Sequence, residues 1–281
     1  MSPQDDTGKP VSAAVPEIRP ETKPETTPET TPLPSDALIV VPVRDLVLFP
    51  EMVFPVSVGR PSSVAAIQQA VREQRQILLV LQREAAKEDL VPADLHTVGT
   101  VVNILRYVTT PDGNHHIVCQ GVQRFRITDF VEGHPFMLAR GLHLAEPTTS
   151  GPEIEARFLV LKQQIRDTLE LLPQVPQELR QTVENTTSAG SLADLAASYL
   201  DSKPEEKQEI LEAIDLVPRL DRVTQLLSKR LEVLRISSEI GSKTKSSLDA
   251  RQREMVLREQ MAAIQRELGE DDSNKQAIAD L

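Results

Sequence analysis

A thiol and an imidazole held within reach of each other make a nucleophile and its base, and this chain carries one cysteine, Cys119, and five histidines. Three of these six residues fall in the run His115-His116-Ile117-Val118-Cys119. Side chains alternate between the faces of a strand, so Ile117, Cys119, Phe125 and Ile127 share one apolar face, and Cys119 reads as a small core residue. The adjacent His115 and His116 point to opposite faces, which is poor geometry for joint ligation of a metal. His96, His134 and His143 show no ligand spacing with a carboxylate or thiol.

Gly241-Ser242-Lys243-Thr244-Lys245 offers two further chemistries. Gly-Ser-Lys-Thr is similar to the end of a phosphate-binding loop. Such a loop needs Gly directly before the Lys, another Gly five residues earlier, and a strand that turns backbone N–H groups onto phosphate. Here Ser242 precedes Lys243, Ser237 holds the earlier position, and the surrounding pattern is helical. Ser242 and Lys245 satisfy Ser-x-x-Lys, without the Ser-Asp-Asn and Lys-Thr-Gly companions that this chemistry requires. Paired carboxylates are common in any chain with 42 Asp and Glu. The sequence predicts no catalytic, cofactor-binding or metal-ligating residue.

The elements that would position these residues divide into three patterns. Residues 1–36 read as a disordered tail: Pro20, Pro24, Pro28 and Pro32 recur with Glu and Thr between them, removing backbone donors and leaving nothing to bury. Residues 37–147 then show short apolar runs broken by turn residues, at 38–43, 52–58, 77–82, 97–108, 115–128 and 136–145, which reads as β structure. Pro111 and Gly113 supply a hairpin turn within 109–114. Pro42 and Pro55 inside strand-like runs point to edges or bulges. One helix interrupts, with Val64, Ile67 and Val71 at helical spacing.

The period changes after Pro147. Phe158, Leu161, Ile165, Leu169 and Leu172 mark one face of a helix. Ser191 with Asp194, and Ser202 with Glu205, have capping-box spacing, and Pro204 suits a first helical turn. A long segment over 220–268 follows, interrupted by Gly241. Val223, Leu227, Leu231 and Leu234 give its first part a packing face. Leu257, Met261, Ile264 and Leu268 give its last part a seam stepping by four and three. Between them, 241–253 is almost all polar and reads as solvated helix or hinge.

Composition limits the function. A formal charge of −11 argues against a chain built mainly to neutralise phosphate backbone. A single cysteine forms no internal disulfide and fits a reducing compartment. No apolar run approaches the roughly 18 residues that span a bilayer, and the N-terminus lacks signal-peptide and transit-peptide patterns, so a cytoplasmic location is expected.

The stretch Val41-Pro42-Val43-Arg44-Asp45-Leu46-Val47-Leu48-Phe49-Pro50-Glu51-Met52-Val53-Phe54-Pro55-Val56 resembles the opening motif of the N-terminal domains of Lon-type ATP-dependent proteases. Gly99-Thr100-Val101, leading into Gln120-Gly121-Val122-Gln123-Arg124-Phe125-Arg126-Ile127, is similar to the family's paired strands. The segment Arg253 to Glu270, with Met255, Leu257, Met261 and Ile264, is similar to its helix before the ATPase module. The resemblance covers most of residues 38–270 in the family's order. It implies an α+β fold: a PUA-like small β-barrel domain over 37–147, an α-helical bundle over 148–240, and a long C-terminal helical arm over 241–281 leading to an ATPase module absent from this chain.

By the same resemblance, the region recognises substrate and supports homohexamer assembly in a serine protease that degrades misfolded and regulatory proteins. The expected partners are unfolded or tagged protein substrates and further copies of the chain, with no membrane. ATP and Mg belong to the downstream ATPase, and no cofactor to this part. Pro42, Arg44, Asp45, Phe49, Pro50, Gly99 and Gly121 are the motif's structural residues. Met255, Leu257, Met261, Ile264 and Leu268 are candidate contacts with substrate or partner. Two alternatives stand beside this reading: a nucleic-acid-binding PUA-like module and a stand-alone holdase-like binding protein. Residues 217–268 carry eleven Lys and Arg against seven Asp and Glu, but no aromatic platform accompanies them.

Overall fold

The computed structural model describes residues 33–110, 115–172 and 174–279, with side chains described through residue 266. The chain divides into two units, Met1–Leu33 and Pro34–Leu281. Residues 1–32, with most of the tail expected to be disordered, lie outside the described residues.

The second unit combines a mixed six-stranded sheet with six helices. The strands are β1 (Leu38–Val43), β2 (Val53–Val58), β3 (Ile77–Leu81), β4 (Val98–Thr109), β5 (His115–Val131) and β6 (Leu138–Leu144). Helix α1 (Pro61–Arg72) lies between β2 and β3 in sequence. The later helices are α2 (Pro152–Leu171), α3 (Gln177–Asn185), α4 (Ala189–Tyr199), α5 (Pro204–Glu212) and α6 (Leu216–Ala279).

β1 and β3 pair in parallel, and all five residues of β3 are buried, as expected of a parallel strand covered on both faces. A parallel pair needs a crossover, which here includes α1. β4 and β5 form the long antiparallel pair, with Thr109 opposite His115; the proposed hairpin turn at 111–114 lies outside the described residues.

The sheet corrects the expected barrel. Its order is β2-β5-β4-β3-β1-β6, with a further pairing between β5 and β6. The sheet therefore curls, but β1 and β6 meet over only two residue pairs, Leu38 with Ala139 and Ile39 with Leu138. β2 pairs with β5 alone among the described strands. The unzipped stretch of β1 contains Pro42 and the edge strand β2 contains Pro55, and proline has no N–H to give a ladder.

The helix expected from Val64, Ile67 and Val71 is present, but its buried face is set by Ser63, Ala66, Ile67 and Ala70, and Val71 is exposed. Small residues let the helix approach β1, and spacing of apolar residues alone misplaced the face. The caps also shift. Ser188 accepts from Ser191 N–H at 3.3 Å to start α4, and Lys203 N–H donates to Glu206 Oε2 at 3.2 Å to start α5. Pro204 occupies the first helical position, as expected. Gly241 does not interrupt α6; a glycine within a helix costs about 1 kcal/mol relative to alanine, too little to break a long one.

Val40, Leu78, Val80, Val101 and Phe125 are part of a core cluster within the sheet region, and a second cluster joins strands to helices. Val47, Phe49, Leu81 and Val98 from the sheet side cluster with Leu161, Ile165 and Leu169 of α2, and with residues of α4, α5 and α6. Phe158 and Leu172 pack against this cluster, so the whole predicted stripe of α2 faces inward.

Candidate functional site

Phe49-Pro50-Glu51-Met52 forms a β-turn. Met52 N–H donates to Phe49 O at 3.3 Å, and Glu51 holds a positive φ of 65°, the third-position conformation of a type II turn with proline before it. Gly121 clasps this turn: its N–H donates to Met52 O at 2.8 Å, and its carbonyl accepts from Glu51 N–H at 2.9 Å. A Cβ on Gly121 would collide with Phe49 O, and one on Gly99 with Leu79 O. Phe49 is buried, Pro42 half-buried, and Arg44 and Asp45 exposed; Arg44 reaches Glu88 at 2.6 Å.

Beside the turn lies a charge cluster that the sequence reading missed. Arg124 of β5 is 2% exposed and meets Asp194 of α4 through two hydrogen bonds of 2.7 and 2.9 Å. Its Nε donates to Leu211 O at 3.0 Å, and its Nη1 to Glu146 Oε2 at 3.2 Å. Arg219 of α6 is also buried and donates to Glu146 Oε1 at 2.6 Å and to Ala213 O and Ile214 O at 2.8 and 2.7 Å. Burial pushes the Asp194 carboxyl up from its ordinary range, against the pull of Arg124, and pushes Arg219 down. Two guanidiniums and two carboxylates thus join β5, the β6–α2 connection, α4 and α6. A Cβ on Gly190 would meet the Glu146 carboxylate, which would have to shift away from it. Asp194, read from sequence as a cap, is a member of this cluster.

The residues with latent chemistry are used otherwise. Cys119 is buried and its thiol is pushed up to about 12 by desolvation, so it is not a nucleophile at neutral pH. His115 Nδ1 lies 2.7 Å from Tyr107 Oη with the rings stacked, and His116 Nδ1 lies 3.0 Å from Ser57 Oγ. Both histidines are half-buried. Gly241 to Lys245 sits inside α6, with no strand before it.

Two surfaces can hold a partner. An apolar groove of about 450 Å³ runs between α2, α3, α4 and α6, with walls that include Leu172, Val175, Leu179, Tyr199, Leu227 and Leu234. Arg230 and Asp201 stand at its edge, 3.5 Å apart. The second surface is α6 itself, where every described side chain from 235 to 261 is exposed. Met255 and Met261 are 63% and 62% exposed, and Leu257 and Ile264 are also exposed. The Leu268 side chain lies outside the described ones.

Comparison with known proteins fits this arrangement. The family model of the ATP-dependent protease La (LON) substrate-binding domain matches residues 37–229. The chain belongs to this family. The Lon protease of Phenylobacterium zucineum (strain HLK1) is 57% identical over 239 residues, 85% of this chain and 30% of that protein. The Lon protease of Methylocella silvestris is 52% identical over 247 residues, 88% of this chain and 30% of that protein. The chain therefore spans about 30% of the length of these curated relatives. The N-terminal domain of Mycobacterium avium complex Lon protease shares the fold, with a TM-score of 0.59 at 24% identity, over 68% of this chain and 98% of that one.

The Lon substrate-binding domain match ends at residue 229, within α6. The clasped turn, the charge cluster and the groove walls up to Leu227 fall inside it, while Leu234 and the exposed stretch of α6 lie beyond. No helix among the described residues is long and apolar enough to cross a membrane.

Proposed function

We propose that this Lon substrate-binding domain captures unfolded polypeptide in the groove between α2, α3, α4 and α6. The observation that carries the reading is the groove: apolar side chains from four helices, partly open to solvent, beside a core cluster that strands and helices share. Such a surface accepts varied apolar side chains, as binding to unfolded chains demands. The exposed apolar residues of α6, Met255, Leu257, Met261 and Ile264 with Leu268 in the same sequence seam, serve as a second contact for substrate or for another copy of the chain.

In this reading the domains follow the sequence pattern: a PUA-like sheet region over 37–147, a bundle over 148–240, and an arm over 241–281 that leads toward an ATPase module. The whole protein is then a cytoplasmic homohexameric serine protease. Its ATP and Mg bind outside this part, and its clients are misfolded or tagged proteins. Replacing Tyr199 with Asp and Leu179 with Ser tests the groove. Binding of a labelled casein, followed by fluorescence anisotropy, should weaken about tenfold, or about 1.4 kcal/mol. Unchanged affinity in a variant with an unchanged circular dichroism spectrum would remove the groove from substrate capture.

A further inference from the structure

We propose that the N-terminus of α1 binds a carboxylate and thereby anchors a polypeptide segment lying in the open slot between β1 and β2. The inference rests on the reading of this domain as polypeptide-binding and assigns that function a further, chemically selective site.

The helix starts without a cap. Arg60 is its N-cap and Pro61 its first residue, no side chain bonds its free amides, and the first helical bond is Val64 N–H to Arg60 O at 2.9 Å. The N–H groups of Ser62 and Ser63 precede that bond at the positive end of the helix dipole. A helix N-terminus by itself says little, but two side chains here are also unsatisfied. Ser63 is 4% exposed, lines the slot, and its Oγ has no hydrogen-bond partner. A buried hydroxyl left unpaired is costly.

Arg60 is the second. Its guanidinium donates to Pro42 O at 3.3 Å, to Lys87 O at 3.4 Å and to Gln82 Oε1, all neutral acceptors, and its buried Nε has none. The carboxylate of Glu88 is taken instead by Arg44. Burial and the charge of Arg44 push the Arg60 pKa down, with Glu88 opposing them only in part. A carboxylate supplies the acceptors that the free amides and Ser63 Oγ lack, and adds negative charge near Arg60. Asp45 and Glu88 also line the slot, and their charges favour a singly charged ligand over a phosphate dianion.

The slot indicates what carries the carboxylate. It encloses about 680 Å³ between residues 41–46 and 54–61, where neither β1 nor β2 has a strand partner on the facing side. Backbone edges on both walls and the exposed ring of Phe54 suit an extended peptide. Pro42 and Pro55 each lack a donor, so the backbone alone binds weakly and the anchored carboxylate decides affinity.

The test uses the full chain and a fluorescein-labelled apolar peptide with a free C-terminus, the same peptide as a C-terminal amide, and the amide ending in Asp. The free acid should bind about tenfold tighter than the plain amide. The Asp amide assigns the source: parity with the free acid means any carboxylate serves, and parity with the plain amide restricts the site to chain ends, both upholding the proposal. Ser63→Ala should erase most of this preference without lowering the melting temperature, since it deletes an unpartnered hydroxyl. Shifts of the Ser62 and Ser63 amide resonances on adding the free acid provide a readout independent of any variant. Equal affinity of acid and amide would overturn the proposal, as would displacement of the free acid by excess inorganic phosphate. The groove variant Tyr199→Asp should retain the carboxylate preference. A loss there, with Ser63→Ala silent, would place the peptide in the groove and sink this inference while leaving the proposed function standing.

Discussion

Arg124 and Arg258 are the same side chain in opposite circumstances. Arg124 is buried at the junction of sheet and helices, where four hydrogen bonds tie it to Asp194, Glu146 and the Leu211 carbonyl. Arg258 lies on the exposed part of α6 and pairs with Glu254, one turn away, at 3.1 Å with both side chains largely in water. The junction joins segments distant in sequence, so its geometry is over-determined. Among the described side chains of α6 from 241 to 266, the hydrogen bonds and ion pairs are local, and this part is helical by propensity and (i, i+4) pairing. Charge at the junction specifies how elements meet, whereas charge on outer α6 keeps a helix soluble.

Three experiments bear on that contrast. Arg124→Met should have the largest effect, about 3–5 kcal/mol of stability lost, because it strands Asp194 in the interior without its strongest partner. Urea unfolding measures this, and the double variant Arg124→Met/Asp194→Leu should recover part of the loss. If the single variant unfolds at the wild-type midpoint, the junction is no more decisive than a surface pair. Next is Gly121→Ala, whose Cβ must push the backbone of Phe49; a strain cost of about 1–3 kcal/mol is expected. The smallest effect should come from Met261→Ser with Ile264→Ser, within about 0.5 kcal/mol of wild type in the same assay. Sedimentation of that double variant sharpens the comparison. A smaller species than wild type would mean the exposed seam pairs between copies, and a midpoint as low as that of Gly121→Ala would mean it packs within one.

Much of the fold was legible because periodicity reports burial directly. The run 38–43 is β1 residue for residue, and the predicted strand at 77–82 differs from β3 by one residue. Val223, Leu227 and Leu231 are buried as their spacing predicts, with Leu234 half-buried in the groove wall. The parity that placed Cys119 with Ile117 and Phe125 also holds. Where small or polar residues take the inward positions, periodicity fails. Ser63, Ala66 and Ala70 set the buried face of α1, yet no hydropathy pattern marks them.

By itself, the sequence determined which segments are strand and which helix, where apolar faces run, and, through the turn at Phe49-Pro50 and the tight glycines, the family resemblance. These are local properties, written in neighbours within a few positions. Tertiary structure alone decided that Arg124 meets Asp194, 70 residues away, and Leu211, 87 residues away. It also decided that the sheet stays open beside β2, and that four helices leave a groove between them. A surface arginine and a buried one have the same letter, and the desolvation that separates them exists only once distant segments have met.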